Sequence, residues 1–369
     1  MLRVDVKRRR RKLGLSGSGK TTKALPDYEK EQLVLNQMQN DLARHRGVKS
    51  TRERIAFETG THLTKNFVSS VMFDHDPAGF AHRDPTSKKI HRVAKTNIGV
   101  NERWSADGHD KLAKIGFPIW AIVDDATGKW LGAWVVPMTT VWAMSLLIVS
   151  FLLSSQLVAF PYSSPRIAVR KQPLFMDWQM LSGIELFHPE YDLQELPAHV
   201  FLRSVHNISI ERSWLNLRLN FGNTAVKAFF RGQDEGVYEP GNLQHGELCR
   251  WLWAKLLRQE LQNFVALRNG SRTRTNKAKV GPSGMSRNEA YSIPSTWGGR
   301  DCLLPIDDHG GLIAELKQAL GGDEILEFVS ADFTRRADVA YINMNVRELT
   351  FTNVWAIFSS LLLVLYPAV

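Results

Sequence analysis

Two runs of β-branched and aromatic residues, Phe117 to Val123 and Lys129 to Val136, stand on either side of an Asp-Asp-Ala-Thr-Gly turn. No other stretch constrains the fold as tightly. Such runs suit the pleated, half-buried surface of strands, and a short glycine-containing turn joins them as a hairpin. Trp120, Trp130 and Trp134 make it a hairpin that needs a core to bury it. Asp107 lies on the segment just before it.

A chain of 369 residues, 44% hydrophobic and 23% charged, can bury two or three cores and is too apolar to be mainly disordered. The formal net charge of +10 favours polyanionic partners, because neutralising phosphates releases condensed counterions. Nucleic acid is the first partner class this suggests, with acidic membranes also compatible on charge. Two cysteines, Cys249 and Cys302, exclude a disulfide framework and a cysteine zinc cluster, which suits a reducing compartment. The solid basic run from Lys7 to Lys12 reads either as a nuclear address or as a solvated charge run, within a disordered basic arm over residues 1–25.

Gly14 to Thr21, GLSGSGKT, matches the phosphate-binding loop pattern in which backbone amides cradle phosphates, Lys20 reaches them and Thr21 binds magnesium. The pattern needs a buried strand before it and a helix after it. Here RRRRKL precedes it and Pro26 follows closely, which leaves no strand and no room for a helix. The expectation is a flexible Gly/Ser linker with no bound nucleotide.

Residues 26–75 read as a helical module. Leu33, Val34, Met38 and Leu42 recur at helical spacing. A second helix opens with Ser50 and Thr51 as capping residues and stops at Gly60, and a third carries Phe67, Val68 and Val71. Helix, short turn, helix is a helix-turn-helix pattern whose second helix enters the major groove of DNA. His62, Thr64, Lys65, Asn66 and Ser69 would then face DNA. An ordinary helical hairpin is the alternative. Residues 76–100 follow as a basic linker in which Lys88, Lys89 and Arg92 would contact phosphates.

Several segments together carry a resemblance: GTHLTKNFVSSVM, ERWSADGHDKLAKIGFPIWAIVDDATGKWLGAWVVP, PAHVFLRSVHNISIERSWLNLRL, ELCRWLWAKLLRQEL and GPSGMSRNEAYSIPSTWGGRDCLLP. In them the chain resembles the integrase-core proteins of mobile elements, the DDE integrase and transposase superfamily, and in particular fungal integrase-like proteins. The resemblance implies an RNase H-like α/β core over residues 101–235, a mixed sheet flanked by helices, behind an all-α helix-turn-helix module and ahead of a helical C-terminal extension over 236–369. It also implies DNA as the partner, more than one subunit for strand transfer, and a carboxylate triad holding Mg2+ or Mn2+.

By the same resemblance Asp107 matches the first catalytic and metal-binding carboxylate and Glu211 the third. Phosphoryl transfer of this kind uses two divalent ions roughly 3.5 to 4 Å apart, bridged by carboxylates. Oxygen donors suit magnesium, so Asp and Glu are the right residue types. Ile210, Trp214, Leu217 and Phe221 recur at helical spacing, so a helix can pack on the sheet while its first turn projects Glu211 towards Asp107. The plainer alternative is a carboxylate stabilising a helix N-terminus. Asp124 and Asp125 shape the hairpin turn, with Asp124 a further candidate metal ligand.

The resemblance breaks between the hairpin and PAHVFLRSVHN. There the family carries a helix and a strand ending in an acidic motif similar to TDCGSET, which supplies the second metal ligand. Residues 139–186 contain no such motif, and Asp177, in MDWQM, is the one substitute in reach. Losing one carboxylate of three weakens metal binding, so strand transfer is expected to be impaired, leaving either a crippled integrase or a non-catalytic DNA-binding remnant. Val141 to Phe160 is also uncharged and about as long as a membrane span, which makes membrane association an alternative to a nuclear location. Ser154, Ser155 and Gln156 dilute it, and Arg166, Arg170 and Lys171 flank only one side. The run VWAIFSSLLLVLYPAV near the C-terminus reads as a buried terminal helix, and Arg272, Arg274, Lys277 and Lys279 as a basic loop.

Overall fold

The structure, a computed structural model, describes residues 12–13, 17–82, 97–138, 159–161, 208–276, 279–305, 318 and 322–367. The expectations for Lys88, Lys89, Arg92, Asp177, Lys277, all of the basic run but Lys12, and nearly all of 139–186 lie outside these residues. The chain divides into two compact units, Met1–His91 with Leu219–Lys227, and Arg92–Arg218 with Ala228–Val369. The hairpin and the C-terminal helices thus share one unit, where sequence reasoning separates a core from an extension at residue 235.

The first unit is helical. Helix α1 spans Ser18–Ala24, α2 Asp27–Gln39, α3 Val48–Thr59, α4 Lys65–His75 and α5 Pro77–His82. Asp27 and Glu29 place negative charge in the first turn of α2, where the helix dipole favours it. Helix α3 stops at Gly60, whose φ of 68° is open to glycine without a Cβ clash. Val34, Ile55, Leu63, Val68, Val71 and Met72 form the buried core that holds these helices together.

Two expectations here are corrected. Ser50 and Thr51 do not cap α3, because Gly47 takes the cap position and both residues lie inside the helix. The Gly/Ser segment is not a linker throughout: α1 forms over it, its Thr21 and Thr22 hydroxyls donating to the Gly17 and Ser18 carbonyls four residues back. Thr22 Oγ1 also accepts the Thr64 N–H at 2.9 Å, which docks this short helix.

In the second unit the hairpin forms as expected. Strands β2 (Trp104–His109), β3 (Ile119–Asp124) and β4 (Trp130–Val135) make an antiparallel sheet in the order β2-β3-β4, with Asp107 opposite Ala121 and an irregularity at Ile122/Val123. Strand β1 (Gly99–Val100) pairs in parallel with β6 (Arg300–Asp301), and β5 (Ala159–Pro161) antiparallel with β7 (Leu303–Pro305). The arrangement is mixed helix and sheet, compatible with an α/β fold.

A helical run follows: α6 (Ile208–Leu217), a π-helical turn over Arg218–Gly222, and α7 (Asn223–Asp234). In the π turn the Asn220 carbonyl accepts Arg46 Nε at 2.9 Å and its side-chain oxygen accepts the Ser50 hydroxyl at 2.5 Å. Those bonds group residues 219–227 with the first unit. Helix α8 (Leu243–Gly270) packs on β4 and on the terminal helix α11 (Val354–Leu365), and α9 (Arg287–Ser292) and α10 (Ala331–Asn343) pack on α8. The C-terminal run is thus a helix that buries Val354, Trp355, Ile357, Phe358 and Leu361. Among the described residues, no helix is long and apolar enough to cross a membrane.

Candidate functional site

Strand β2 carries Asp107 at the sheet edge opposite β4, and α6 lies against β2 and β3. Ile210 and Leu217 are fully buried and Trp214 nearly so, which fixes one face of α6 on the sheet. Trp214 Nε1 donates to Asp107 Oδ2 at 3.1 Å. Glu211 is one helical turn before Trp214 and is exposed. Residues a hundred positions apart in sequence therefore meet through an indole–carboxylate bond, with Glu211 in the adjoining turn. Trp214 is read from the sequence only as an apolar core position. Its polar handle was the missed signal, since a buried indole N–H usually finds an acceptor.

Asp124 is withdrawn from solvent. Its Oδ1 accepts the Asn101 N–H at 2.8 Å, and its Oδ2 accepts the Thr127 N–H at 2.8 Å and the Thr127 hydroxyl at 2.6 Å. Burial pushes its pKa up, opposed by those hydrogen bonds and by Lys129. Oδ2 serves the turn and Oδ1 ties the turn to the residue after β1. Asp125, likewise buried, pairs with Arg103 and accepts the Ser105 hydroxyl at 3.3 Å.

Asn101 escapes sequence reasoning altogether. It is fully buried with φ at 58°, a conformation that asparagine tolerates better than most residues. Its Oδ1 accepts Trp104 Nε1 at 2.9 Å and the Tyr291 hydroxyl at 2.8 Å, while its Nδ2 donates to Asp301 at 2.9 Å. Lys129 lies over the Tyr291 ring, 4.1 Å from its centre. Burial lowers the Lys129 pKa, against the pull of Asp124, and raises that of Tyr291. The result is a polar staple from β1 to the hairpin turn, α9 and β6, and no short-range pattern announces it.

In the first unit His62, Lys65 and Asn66 are exposed and Ser69 partly so, at the start of α4. Thr64 is the N-cap of α4 and accepts the Phe67 N–H at 3.4 Å, while its own N–H goes to Thr22. Its side chain thus has a structural role at the start of α4. Thr64→Ala is expected to cost about 1 kcal/mol of stability, the usual loss for an N-cap, with Thr64→Ser restoring it; urea unfolding reads both.

Among the described residues, no group of three or more His, Cys, Asp or Glu side chains is placed to hold a metal ion. Asp107 and Glu211 supply two carboxylates, one of them already accepting an indole N–H, and a two-ion centre needs more donors than that. No protein-family model matches the chain, and comparison with curated proteins gives no match.

Proposed function

We propose that this chain is a nuclear DNA-binding protein of the integrase and transposase type, of mobile-element origin, with an RNase H-like core whose metal-dependent strand transfer is impaired. The observation that carries the reading is the Trp214–Asp107 bond, which sets the Glu211 turn beside the strand that carries Asp107. An aspartate on a strand of an antiparallel sheet, bonded to a tryptophan one helical turn from a glutamate, is an arrangement compatible with phosphodiester chemistry. Supporting it are the helix–Gly60 turn–helix of the first unit, with His62, Lys65 and Asn66 exposed, and a net charge of +10.

Mg2+ or Mn2+ would draw on Asp107 and Glu211, and with the second carboxylate of the triad missing from the sequence pattern the retained activity is DNA binding. A homo-oligomer would be the unit that engages two DNA ends. Incubating the purified protein with DNA ends and either metal is expected to give metal-independent binding and no joining above background. Robust metal-dependent joining that disappears in Asp107→Asn would overturn the impairment and restore an active integrase. Absence of any DNA binding would remove the DNA-binding remnant as well.

A further inference from the structure

Helix α1 grows out of the stretch that matches a phosphate-binding loop, and the function proposed above gives it no role. One residue fixes where it stands. The Thr22 hydroxyl accepts the Thr64 N–H at 2.9 Å and donates to the Ser18 carbonyl at 2.7 Å, while the Thr22 carbonyl accepts the Lys30 ammonium at 3.0 Å. Thr22 and Lys30 are both buried, and Lys30 lies over the Phe67 ring of α4, 5.0 Å from its centre. These bonds hold α1 against the start of α4, the helix that a helix-turn-helix sends into the major groove.

Lys23 follows Thr22 in the chain and Lys65 follows Thr64, and both lysines are exposed. Because Thr22 and Thr64 are bonded, bond lengths alone hold the two lysine Cα atoms to within about 14 Å of each other. One strand of B-DNA carries a phosphate about every 3.4 Å along the axis, so ammoniums at that spacing reach phosphates of a single strand. Among the described residues neither lysine is in an ion pair, and Asp27, the carboxylate that begins α2, is held by Lys30 at 2.5 Å. Gly19 lies one turn before Lys23 on the same face of α1, and no atom stands within 4 Å of where its Cβ would be. A nucleic-acid backbone meets no side chain there. Lys20 is exposed as well, but it lies two residues before Thr22 and so on the far side of α1.

We propose that Lys23 and Lys65 form a two-point contact with the phosphates of one strand of duplex DNA, beside the groove that α4 enters. The contact rests on the DNA-binding reading above and adds to it α1, a helix outside the helix-turn-helix itself. It fixes the position of α4 on the duplex and carries no base information, as phosphate contacts do.

The test is fluorescence anisotropy with the full-length protein and a labelled duplex over a range of salt concentrations. Each phosphate contact contributes about 0.9 to the slope of log affinity against log salt. Lys23→Gln and Lys65→Gln are each expected to flatten that slope by about 0.9, and the double variant by about 1.8. Lys23→Arg keeps the charge and Lys20→Gln lies off the contact, so both should retain the wild-type slope. A wild-type slope in Lys23→Gln overturns the contact and leaves the DNA-binding reading standing, since Lys65 belongs to that reading in its own right. A loss in Lys20→Gln equal to that in Lys23→Gln also overturns it, because the attraction then belongs to charge at large. Wild-type protein that binds no duplex overturns both.

Discussion

Trp355→Ala is expected to lower the free energy of unfolding by about 3–5 kcal/mol, the range for deleting a large aromatic from a close-packed core. Trp355 is 3% exposed and stands where three segments meet. Its ring centre is 5.3 Å from those of Trp253 and Phe358 and 5.8 Å from the stacked ring of Tyr238, with Phe229 at 5.9 Å. Its Nε1 donates to the Ala228 carbonyl at 2.6 Å. Truncation leaves a void lined by four aromatic rings and takes the donor from a buried carbonyl. Gly232 is the matching half of the contact, because a methyl group there would overlap the Trp355 ring. Gly232→Ala should therefore destabilise by overpacking, about 1–3 kcal/mol, although alanine is the better helix former. Urea unfolding followed by far-UV circular dichroism reads both changes; a loss below 1 kcal/mol for Trp355→Ala would show that this cluster is not a working core.

Asn269→Leu is expected to cost about 2–6 kcal/mol, from two backbone groups each losing a partner worth about 1–3 kcal/mol when buried. In the described sheet β4 is an outer strand, and its exposed backbone edge needs cover. Asn269, near the end of α8, supplies it: its Oδ1 accepts the Trp130 N–H at 2.9 Å and its Nδ2 donates to the Trp130 carbonyl at 2.8 Å. The side-chain amide thus stands in for one residue of a neighbouring strand. Asn269→Asp keeps the acceptor and turns the donor into a second acceptor facing the Trp130 carbonyl. That repulsion raises the folded-state pKa of the new carboxyl. Protonation then favours the folded state, so the deficit against wild type should shrink as the pH falls towards the carboxylate range. A deficit that stays constant or grows on acidification would rule out this pairing. Amide exchange at Trp130 gives a local reading of the same bond.

What the sequence discloses divides along a physical line. Periodicity and turn chemistry are local, so the hairpin, the helices around Val34, Ile55 and Val68, and the stop at Gly60 are all legible. Helix α1 is hidden because glycine and serine letters suggest a linker, while the bonds that form it, Thr22 to Ser18 and to Thr64, depend partly on tertiary docking. Ser50 and Thr51 are good capping residue types at the wrong place, displaced by the earlier start at Val48. Asn101 and Asn269 look like ordinary polar residues until their partners, Tyr291 and Trp130, arrive from more than a hundred positions away. At the carboxylate pair, helical spacing brings Glu211 to the sheet-facing turn, but only the fold shows that Trp214 is the residue bonded to Asp107.

The π turn at Arg218–Gly222 has a consequence for chain length rather than residue identity. A π turn consumes one more residue than an α turn, and one residue is about 100° of helical rotation. The apolar stripe of Ile210, Trp214 and Leu217 and that of Ala225, Ala228 and Phe229 are therefore out of phase by about that angle. A π turn of five residues rotates about as far as four α-helical ones, so deleting one residue there would leave both stripes close to their present phase. The extra residue is thus an accommodated insertion, and what it supplies is the bulge that turns the Asn220 carbonyl and side chain to Arg46 and Ser50.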